Sequence, residues 1–466
     1  MVTRRRPWVH PYIPNSAPEN TERMLAFIGV DDIEELYRYI PGRLRFSGEM
    51  DLPRPFGSER ELQRHVDGLV NRNVASEQYL NFLGAGCWQH HVPAICDEVI
   101  GRAEFLTAYA GEPYEDHGRF QALFEYASLV GELVEMDVVS VPTYDWASAA
   151  AMSMRMAERI TDRGEILVPE TISPERLRVI TNYLAPAVSV TRVRHDRRTG
   201  RMDLDDLRAR LSEDTAAVYF ENPSYLGFIE DRGKEISDAA HAGGAVSIVG
   251  VDPSSLGVMI PPSRYGADIV CGELQPLGVH MNYGGGLAGF IATRDEVEFV
   301  REYPLRLFGI TSTVVDGEYG FGDVFYDRTS FAKREKGKDF VGTMAALWGI
   351  AAGVYLALMG PQGMIDLGAT IMQRSQYAAA RMADIDGIRA PVFDASYFKE
   401  FVVDFNETGL TVGQINERLR DEGIFGGRDL SGDFPDLGQC ALYSVTEIHT
   451  REDLDRLAKA VQTCVG

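Results

Sequence analysis

VSIVGVDPSSLGVMIPPSRYGADIVCGELQPLG, the sequence of residues 246–278, contains two short, mainly apolar runs at 246–251 and 269–271. Each run is followed by polar or turn-forming residues, a pattern that predicts strands rather than helices. Neither run alternates strictly between apolar and polar residues, so we expect both strands to be buried on both faces, as in a parallel sheet. The stretch therefore predicts a mainly parallel sheet in an α/β domain.

Upstream and downstream, further apolar runs alternate with helical segments. Strands are predicted at 137–141, 166–168, 189–193, 216–220 and 287–292, and helices at 147–159, 174–184, 204–211 and 233–242. Strands separated by helices of this length are typical of βαβ units. An irregular stretch follows Arg294. Beyond it come an uncharged helix at 345–358, a second helix at 362–382, and a small α+β pattern with strands at 401–405 and 441–445 and helices at 412–422 and 451–461.

The chain thus divides into three predicted domains. Residues 1–80 contain short helices at 21–28 and 32–39 and form an arm or cap, residues 81–335 form the large α/β domain, and residues 336–466 form the connecting helices and the small C-terminal α+β domain. A chain of 466 residues is long enough for two or three such units.

Charge excludes two classes of partner. The chain carries 46 basic and 69 acidic residues, a formal net charge of −23, and only 6 of the basic residues are lysines. Nucleic acid and anionic membranes both require basic surfaces, so neither is expected as a partner. The five cysteines form no CxxC pair, and we see no signal peptide, so a reducing cytoplasm is the expected location. The uncharged helix is interpreted as a core or interface helix rather than a membrane span.

General catalytic motifs do not fit. Residues 284–289, GGGLAG, match GxGxxG, but they precede a strand instead of linking a strand to a helix. The sequence has no GxxxxGK[ST], HExxH or GxSxG. His90 and His91 are adjacent, and adjacent residues do not share one face of an element, so no metal site is expected.

Longer motifs carry a specific similarity. They are Pro11-Tyr12-Ile13-Pro14, Phe82-Leu83-Gly84-Ala85-Gly86, Thr107-Ala108-Tyr109, Gln121-Ala122-Leu123-Phe124-Glu125-Tyr126, Gly227-Phe228-Ile229-Glu230-Asp231, Val251-Asp252-Pro253, Ser255-Leu256-Gly257, 265–270, Arg334-Glu335-Lys336, Leu358-Met359-Gly360-Pro361 and 426–430. In this order and over nearly the whole chain, they resemble the α subunit of the glycine decarboxylase P-protein (glycine dehydrogenase, decarboxylating, subunit 1).

The resemblance implies a fold-type I pyridoxal-phosphate transferase, similar to aspartate aminotransferase. It also implies a heterodimer or α2β2 complex in which a lysine-bearing β subunit of the same fold holds pyridoxal phosphate. Such a complex decarboxylates glycine and passes the aminomethyl group to a lipoyl carrier, the H-protein. The chain would then be a subunit of a pyridoxal-phosphate enzyme and inactive alone.

The residues at the expected cofactor site are degenerate. A pyridoxal enzyme needs a lysine, an acid beside the pyridine nitrogen and a phosphate cradle at a helix N-terminus. Asp252 matches the acid, but Gln275 stands where the lysine should be. The six lysines, Lys234, Lys333, Lys336, Lys338, Lys399 and Lys459, all lie elsewhere in the sequence. Trp146 stands in the phosphate turn and is interpreted as core filling. No catalytic residue is therefore expected on this chain alone.

Loops that face the shared site in the resembling family differ here, at 110–118 and 337–343. His90, Tyr109, Glu115 and Arg334 are the residues expected to reach the partner's site. Two alternatives stay open beside the glycine-cleavage reading. The chain could be a paralogous subunit whose complex acts on another amino acid, or a structural pseudoenzyme that only stabilises its partner.

Overall fold

The computed structural model describes residues 9–10, 12–46, 48, 50–106, 117–338 and 344–466. Its α-helices are α1 (Pro18–Ile28), α2 (Glu59–Val70), α3 (Ala94–Ile100), α4 (His117–Val134), α5 (Trp146–Thr161), α6 (Pro174–Leu184), α7 (Leu204–Arg210), α8 (Gly233–Ala242), α9 (Val297–Val300), α10 (Ser330–Lys333), α11 (Ala346–Ala383), α12 (Val412–Asp421) and α13 (Arg451–Val465). Its strands are β1 (Leu80–Asn81), β2 (Val138–Val139), β3 (Glu165–Pro169), β4 (Ser189–Val193), β5 (Thr215–Glu221), β6 (Val246–Val251), β7 (Ile269–Glu273), β8 (Gly289–Thr293), β9 (Phe308–Ser312), β10 (Tyr319–Asp323), β11 (Glu400–Asp404), β12 (Ile424–Phe425), β13 (Arg428–Asp429) and β14 (Cys440–Ser444).

The chain forms two compact units, Met1–Asn73 and Val74–Gly466. The first contains α1 and α2, and neither helix has a buried residue. Sequence features still define both helices, since Gly29 ends α1 in the left-handed conformation and the Ser58 side chain caps α2. The predicted boundary of the arm at residue 80 stays a prediction. The further division into 81–335 and 336–466 stays a prediction.

The second unit is built on a mostly parallel sheet. Among the described residues, seven strands lie in the order β2-β8-β7-β6-β5-β3-β4. The pairs from β4 to β7 are parallel, while β8 is antiparallel to both β7 and β2. Every residue of β5, β6 and β7 is buried. These are the uninterrupted runs from which the sequence predicts a parallel sheet covered on both faces, and the prediction of fold class is confirmed.

A smaller sheet lies in the C-terminal part of the same unit. Strands β11, β14 and β13 pair antiparallel in that order, and α12 and α13 pack beside them around the core of Phe401, Leu419 and Val461. A separate parallel pair joins β1 to β12. This arrangement agrees with the predicted α+β pattern, and it places the residues just before β11 close to the large sheet.

Two predictions about the connecting region have different outcomes. The uncharged helix and the helix after it form one long α11, interrupted at Gly360, whose backbone is non-helical. By length and composition α11 could cross a membrane. However, Ala346, Ile350 and Tyr355 on it join the main core of the large sheet, as predicted for a core helix. The prediction of an irregular stretch after Arg294 is wrong in part, because β9 and β10 pair there as an antiparallel hairpin.

Candidate functional site

The acid predicted from the sequence is already paired with a cation of the same chain. Asp252 directly follows β6, and its Oδ1 accepts hydrogen bonds from the backbone N–H of Ser254 at 3.1 Å and from its hydroxyl at 2.7 Å. Its Oδ2 lies 2.7 Å from Nζ of Lys399, which directly precedes β11. The two side chains are only 6% and 2% exposed. The large sheet and the small sheet therefore meet at a buried ion pair.

All three hydrogens of the Lys399 ammonium have acceptors. Besides Asp252, Nζ lies 3.4 Å from Oγ of Ser254 and 3.1 Å from Nε2 of His90. The ammonium also lies 3.6 Å from the centre of the Trp88 ring, a cation–π contact made out of water. Every side of the buried charge is thus compensated, as a buried ammonium requires.

His90 links this pair to a second carboxylate. Because Nε2 accepts from Lys399, the imidazole proton belongs on Nδ1, which lies 2.7 Å from Oε2 of Glu447. The other Glu447 oxygen accepts the backbone N–H of His91 at 2.7 Å. Burial alone would raise the pKa of Glu447, but the hydrogen bonds that its carboxylate accepts from His90 and from the His91 backbone outweigh burial and lower the pKa to about 2.

Gln275, which stands at the lysine position, is fully engaged with backbone. Its side-chain oxygen accepts the N–H of Trp88 at 3.0 Å, and its Nε2 donates to the carbonyl oxygens of Trp88 at 2.8 Å and of Val279 at 3.0 Å. The side chain is 1% exposed. Gln275 therefore holds Trp88 in place, and the Trp88 ring in turn covers the Lys399 ammonium.

The helix terminus that would cradle a phosphate is occupied by two carboxyl groups. Asp145 caps α5 by accepting the N–H of Ser148 at 2.6 Å, and Oε2 of Glu273 accepts the N–H of Trp146 at 3.1 Å. Oε1 of Glu273 accepts two more backbone N–H groups, from Gln275 and Ala288. Burial, opposed by these three hydrogen bonds, raises the pKa of Glu273 to about 8.

A second buried ion pair fills the remaining space. The Arg176 guanidinium forms two 2.8 Å hydrogen bonds to Glu221 and lies 4.2 Å from the centre of the Trp146 ring. Trp146 is buried in the core, as predicted, and the indole lies against Gly250, where a side chain would come within 2.7 Å of it. The cavity left between Trp88, Trp146, Arg176, Asp252 and Lys399 has a volume of about 20 Å³.

These residues do not fit pyridoxal phosphate. A cavity of about 20 Å³ holds a single water at most, whereas one six-membered ring needs roughly 150 Å³. Lys399 neutralises the acid, carboxyl groups of this chain occupy the helix terminus, and an amide stands at the lysine position. The pocket lies at the position of a cofactor site, but side chains of this chain fill it.

The structure brings together three of the residues singled out from the sequence, Asp252, Gln275 and His90. Arg334 lies apart, with its side chain 88% exposed beside Glu335. Tyr109 and Glu115 lie outside the described residues. Within the described part of the chain, no group of three His, Cys, Asp or Glu side chains could hold a metal ion.

Sequence reasoning missed Lys399 and Glu273. From the sequence, Lys399 is counted only among the lysines that lie away from the cofactor position, and the structure corrects this by burying it against Asp252. One signal was available, because Lys399 and Glu400 form a charged pair inside an otherwise aromatic and apolar run, Tyr397-Phe398-Lys399-Glu400-Phe401. Adjacent charges in a buried strand usually have buried partners.

Comparisons with known proteins agree over the whole chain. The model of the glycine cleavage system P-protein family matches residues 10–461. The chain is 40% identical to the "Probable glycine dehydrogenase (decarboxylating) subunit 1" of Staphylothermus marinus over 98% of both chains. It is 39% identical to the protein of the same name from Aeropyrum pernix, over 98% of this chain and 99% of that one.

Solved structures give the same result. The crystal structure of a glycine decarboxylase (P-protein) of the glycine cleavage system, in inhibitor-bound form, superposes with a TM-score of 0.84 at 32% identity, covering 96% of this chain and 98% of that one. The sphingosine-1-phosphate lyase of Burkholderia pseudomallei shares the fold, with a TM-score of 0.62 at 15% identity over 91% of this chain and 94% of the lyase.

Proposed function

Since the chain belongs to the glycine cleavage system P-protein family, as the α subunit of a split glycine decarboxylase, we propose that pyridoxal phosphate is held by its second subunit. The second subunit would have the same fold and supply the lysine that this chain lacks. The pair, as a heterodimer or α2β2 complex, would decarboxylate glycine and transfer the aminomethyl group to a lipoyl carrier protein. We place the complex in the cytoplasm.

The observation that carries the proposal is the filled pocket. Lys399 neutralises Asp252 at 2.7 Å, and about 20 Å³ of space remains beside the pair. Gln275 cannot bind a cofactor covalently, and its amide is already committed to the Trp88 backbone. A member of a cofactor-dependent family whose own pocket is filled must obtain the cofactor's chemistry from another chain. The relatives' name, subunit 1, implies that such a chain exists.

The first unit offers a surface for this second subunit. Among the described residues between 9 and 70, twenty large apolar side chains are exposed, including Phe27 at 94% and Tyr39 at 80%. So many exposed large apolar side chains in one segment are typical of a surface that binds another protein. The family match begins at residue 10, so this segment is part of the shared architecture.

Exchange assays and alanine variants of the complex separate this proposal from its alternatives. The chain co-expressed with the second subunit should catalyse glycine–bicarbonate exchange with a lipoyl carrier, and the isolated chain should show neither exchange nor visible cofactor absorbance. A cofactor-loaded complex that exchanges another amino acid but not glycine would support the paralogous reading. The purely structural reading predicts unchanged turnover when Arg334, Tyr109 and Glu115 are replaced by alanine in an intact complex.

The docking surface has its own test. Phe27→Glu and Tyr39→Glu in the full-length chain should reduce co-purification of the second subunit at least tenfold. The melting temperature of the isolated chain should stay unchanged, because these side chains have little contact to lose. Full retention of the second subunit by both variants would assign the interface to another surface.

A further inference from the structure

We propose that Lys399 acts as a built-in cationic ligand of Asp252, taking the place that a bound cation would otherwise fill and locking the small sheet onto the large one. The pocket is then a site for a primary alkylammonium group that the chain satisfies from within. The inference depends on the proposed function in one respect, that Asp252 occupies the position of the acid beside the pyridine nitrogen. Its physical content can be tested on this chain alone.

The contacts of Lys399 are those of a ligand in a site. The carboxylate that faces it is oriented by two hydrogen bonds from Ser254, and Trp88 supplies an aromatic wall 3.6 Å from the ammonium nitrogen. Carboxylate, imidazole and aromatic ring together form the kind of site that recognises organic cations. The side chains that surround the ammonium come from two parts of the sequence, 88–90 and 252–254, and Lys399 comes from a third, so the site is formed by the fold rather than by a local turn.

Neighbouring residues preserve this arrangement. The paired hydrogen bonds of Gln275 to the Trp88 backbone fix the aromatic wall, and Glu447 fixes the ring of His90. Glu400, the residue after Lys399, accepts the backbone N–H of Ala85 at 2.6 Å, which anchors the start of β11. The ammonium is thus positioned from both sides, and little freedom is left for the small sheet to move away from Asp252.

The charges around the pair are consistent with this role. Asp252, Lys399, His90 and Glu400 are buried in this cluster, and Glu447, 16% exposed, lies at its edge. Asp252 would be the uncompensated charge if Lys399 were removed, since Glu447 retains His90 and the His91 backbone. Loss of Lys399 therefore creates a specific demand for a cation at one place, together with the space of the deleted side chain.

The test is chemical rescue of the Lys399→Ala variant of the full-length chain. The substitution deletes three methylene groups and an ammonium, and n-propylammonium has the same atoms. We expect Lys399→Ala to lower the melting temperature, and 100 mM n-propylammonium chloride to raise it by about 2 °C or more relative to sodium chloride at equal ionic strength. The Lys399→Met variant retains no such space, and no rescue is expected for it.

Two controls isolate the charge and the position. n-Propanol, which has a similar size and no charge, should leave the melting temperature of Lys399→Ala unchanged. Lys234→Ala removes an exposed lysine paired with Asp238, and n-propylammonium should not affect it. A Lys399→Ala chain as stable as the wild type, an absent ammonium effect, or equal rescue by propanol would each overturn the proposal.

If Lys399→Ala does not fold, the proposal is tested by comparing the melting temperature of the double variant Asp252→Asn/Lys399→Met with that of Lys399→Met. With both charges removed, no cation is required, and the double variant should melt above Lys399→Met. A double variant that melts no higher would overturn the proposal. These readouts are independent of glycine exchange by the complex, so failure here is distinguishable from failure of the proposed function.

Discussion

Replacing Lys399 by methionine in the full-length chain should destabilise the fold far more than replacing any exposed lysine. Both members of the pair with Asp252 are almost completely buried, at a separation of 2.7 Å. Methionine fills much of the same volume, so the main loss is the charge that compensates the Asp252 carboxylate. Removing one partner of a buried pair costs about 3–5 kcal/mol, because the other charge stays buried and unpaired.

Urea unfolding followed by tryptophan fluorescence measures this cost directly, since Trp88 lies on the Lys399 ammonium. Asp252→Asn should recover at least about 2 kcal/mol when combined with Lys399→Met, which gives a large coupling energy in a double-mutant cycle. Lys234→Met is the matched control, and loss of its exposed pair with Asp238 should cost about 0.3–0.5 kcal/mol. A Lys399→Met chain within about 1 kcal/mol of the wild type, or additive effects in the cycle, would refute the assignment of a compensated buried pair.

Three further outcomes follow from the site. The pKa of Glu447 is lowered from 4.5 to about 2, so its contribution to stability, about 3 kcal/mol, is present above pH 4.5 and lost as the pH falls towards 2. In urea unfolding over this pH range, Glu447→Gln should lose less stability on acidification than the wild type. The pKa of Glu273 is raised to about 8, so between pH 4.5 and pH 8 the folded state keeps a proton that the unfolded state releases. The free energy of unfolding should therefore fall by up to about 1.4 kcal/mol per pH unit over this range. Glu273→Gln should remove this slope, and an unchanged slope would exclude Glu273 as its source. Gly250→Ala places a methyl group 2.6 Å from the Tyr219 hydroxyl and should cost about 1–3 kcal/mol in thermal or urea unfolding, whereas Gly413→Ala in α12, with no atom closer than 3.8 Å, should be neutral or stabilising.

Much of the fold was predictable because its strands are encoded locally. The runs at β5, β6 and β7 are mainly apolar and buried at every residue, and only a sheet covered on both faces buries such strands. The interruption of α11 at Gly360 was equally predictable, since Pro361 follows it and proline cannot donate the helical hydrogen bond. Local sequence also predicted β7, although the strand ends at Glu273 rather than at Cys271.

The hairpin of β9 and β10 was missed because its sequence carries weak strand signals. The residues Phe308–Ser312 and Tyr319–Asp323 include glycines and polar residues, and much of the hairpin is exposed. Pairing between the two strands, rather than burial, defines them. A pattern that relies on buried apolar runs does not detect such an element.

The contents of the site could not be predicted, for a different physical reason. Lys399 is brought to Asp252 only when the small sheet docks on the large one, and no local pattern identifies Asp252 as its partner, although the adjacent charges of Lys399 and Glu400 indicate buried partners. Lysines that precede strands are usually solvent-exposed, which is why Lys399 was not placed in a buried site. Glu273 was missed in the same way, because its partners are backbone N–H groups at the start of α5 and β8.

The most direct test of the central claim is to locate the cofactor in the co-expressed complex. Borohydride reduction fixes pyridoxal phosphate covalently to the lysine that holds it, and peptide mass spectrometry identifies that lysine. We predict one phosphopyridoxyl group per pair of subunits, on a lysine of the second subunit, with all six lysines of this chain unmodified. A phosphopyridoxyl group on Lys399, or on any other lysine of this chain, would contradict the conclusion that its pocket is filled from within.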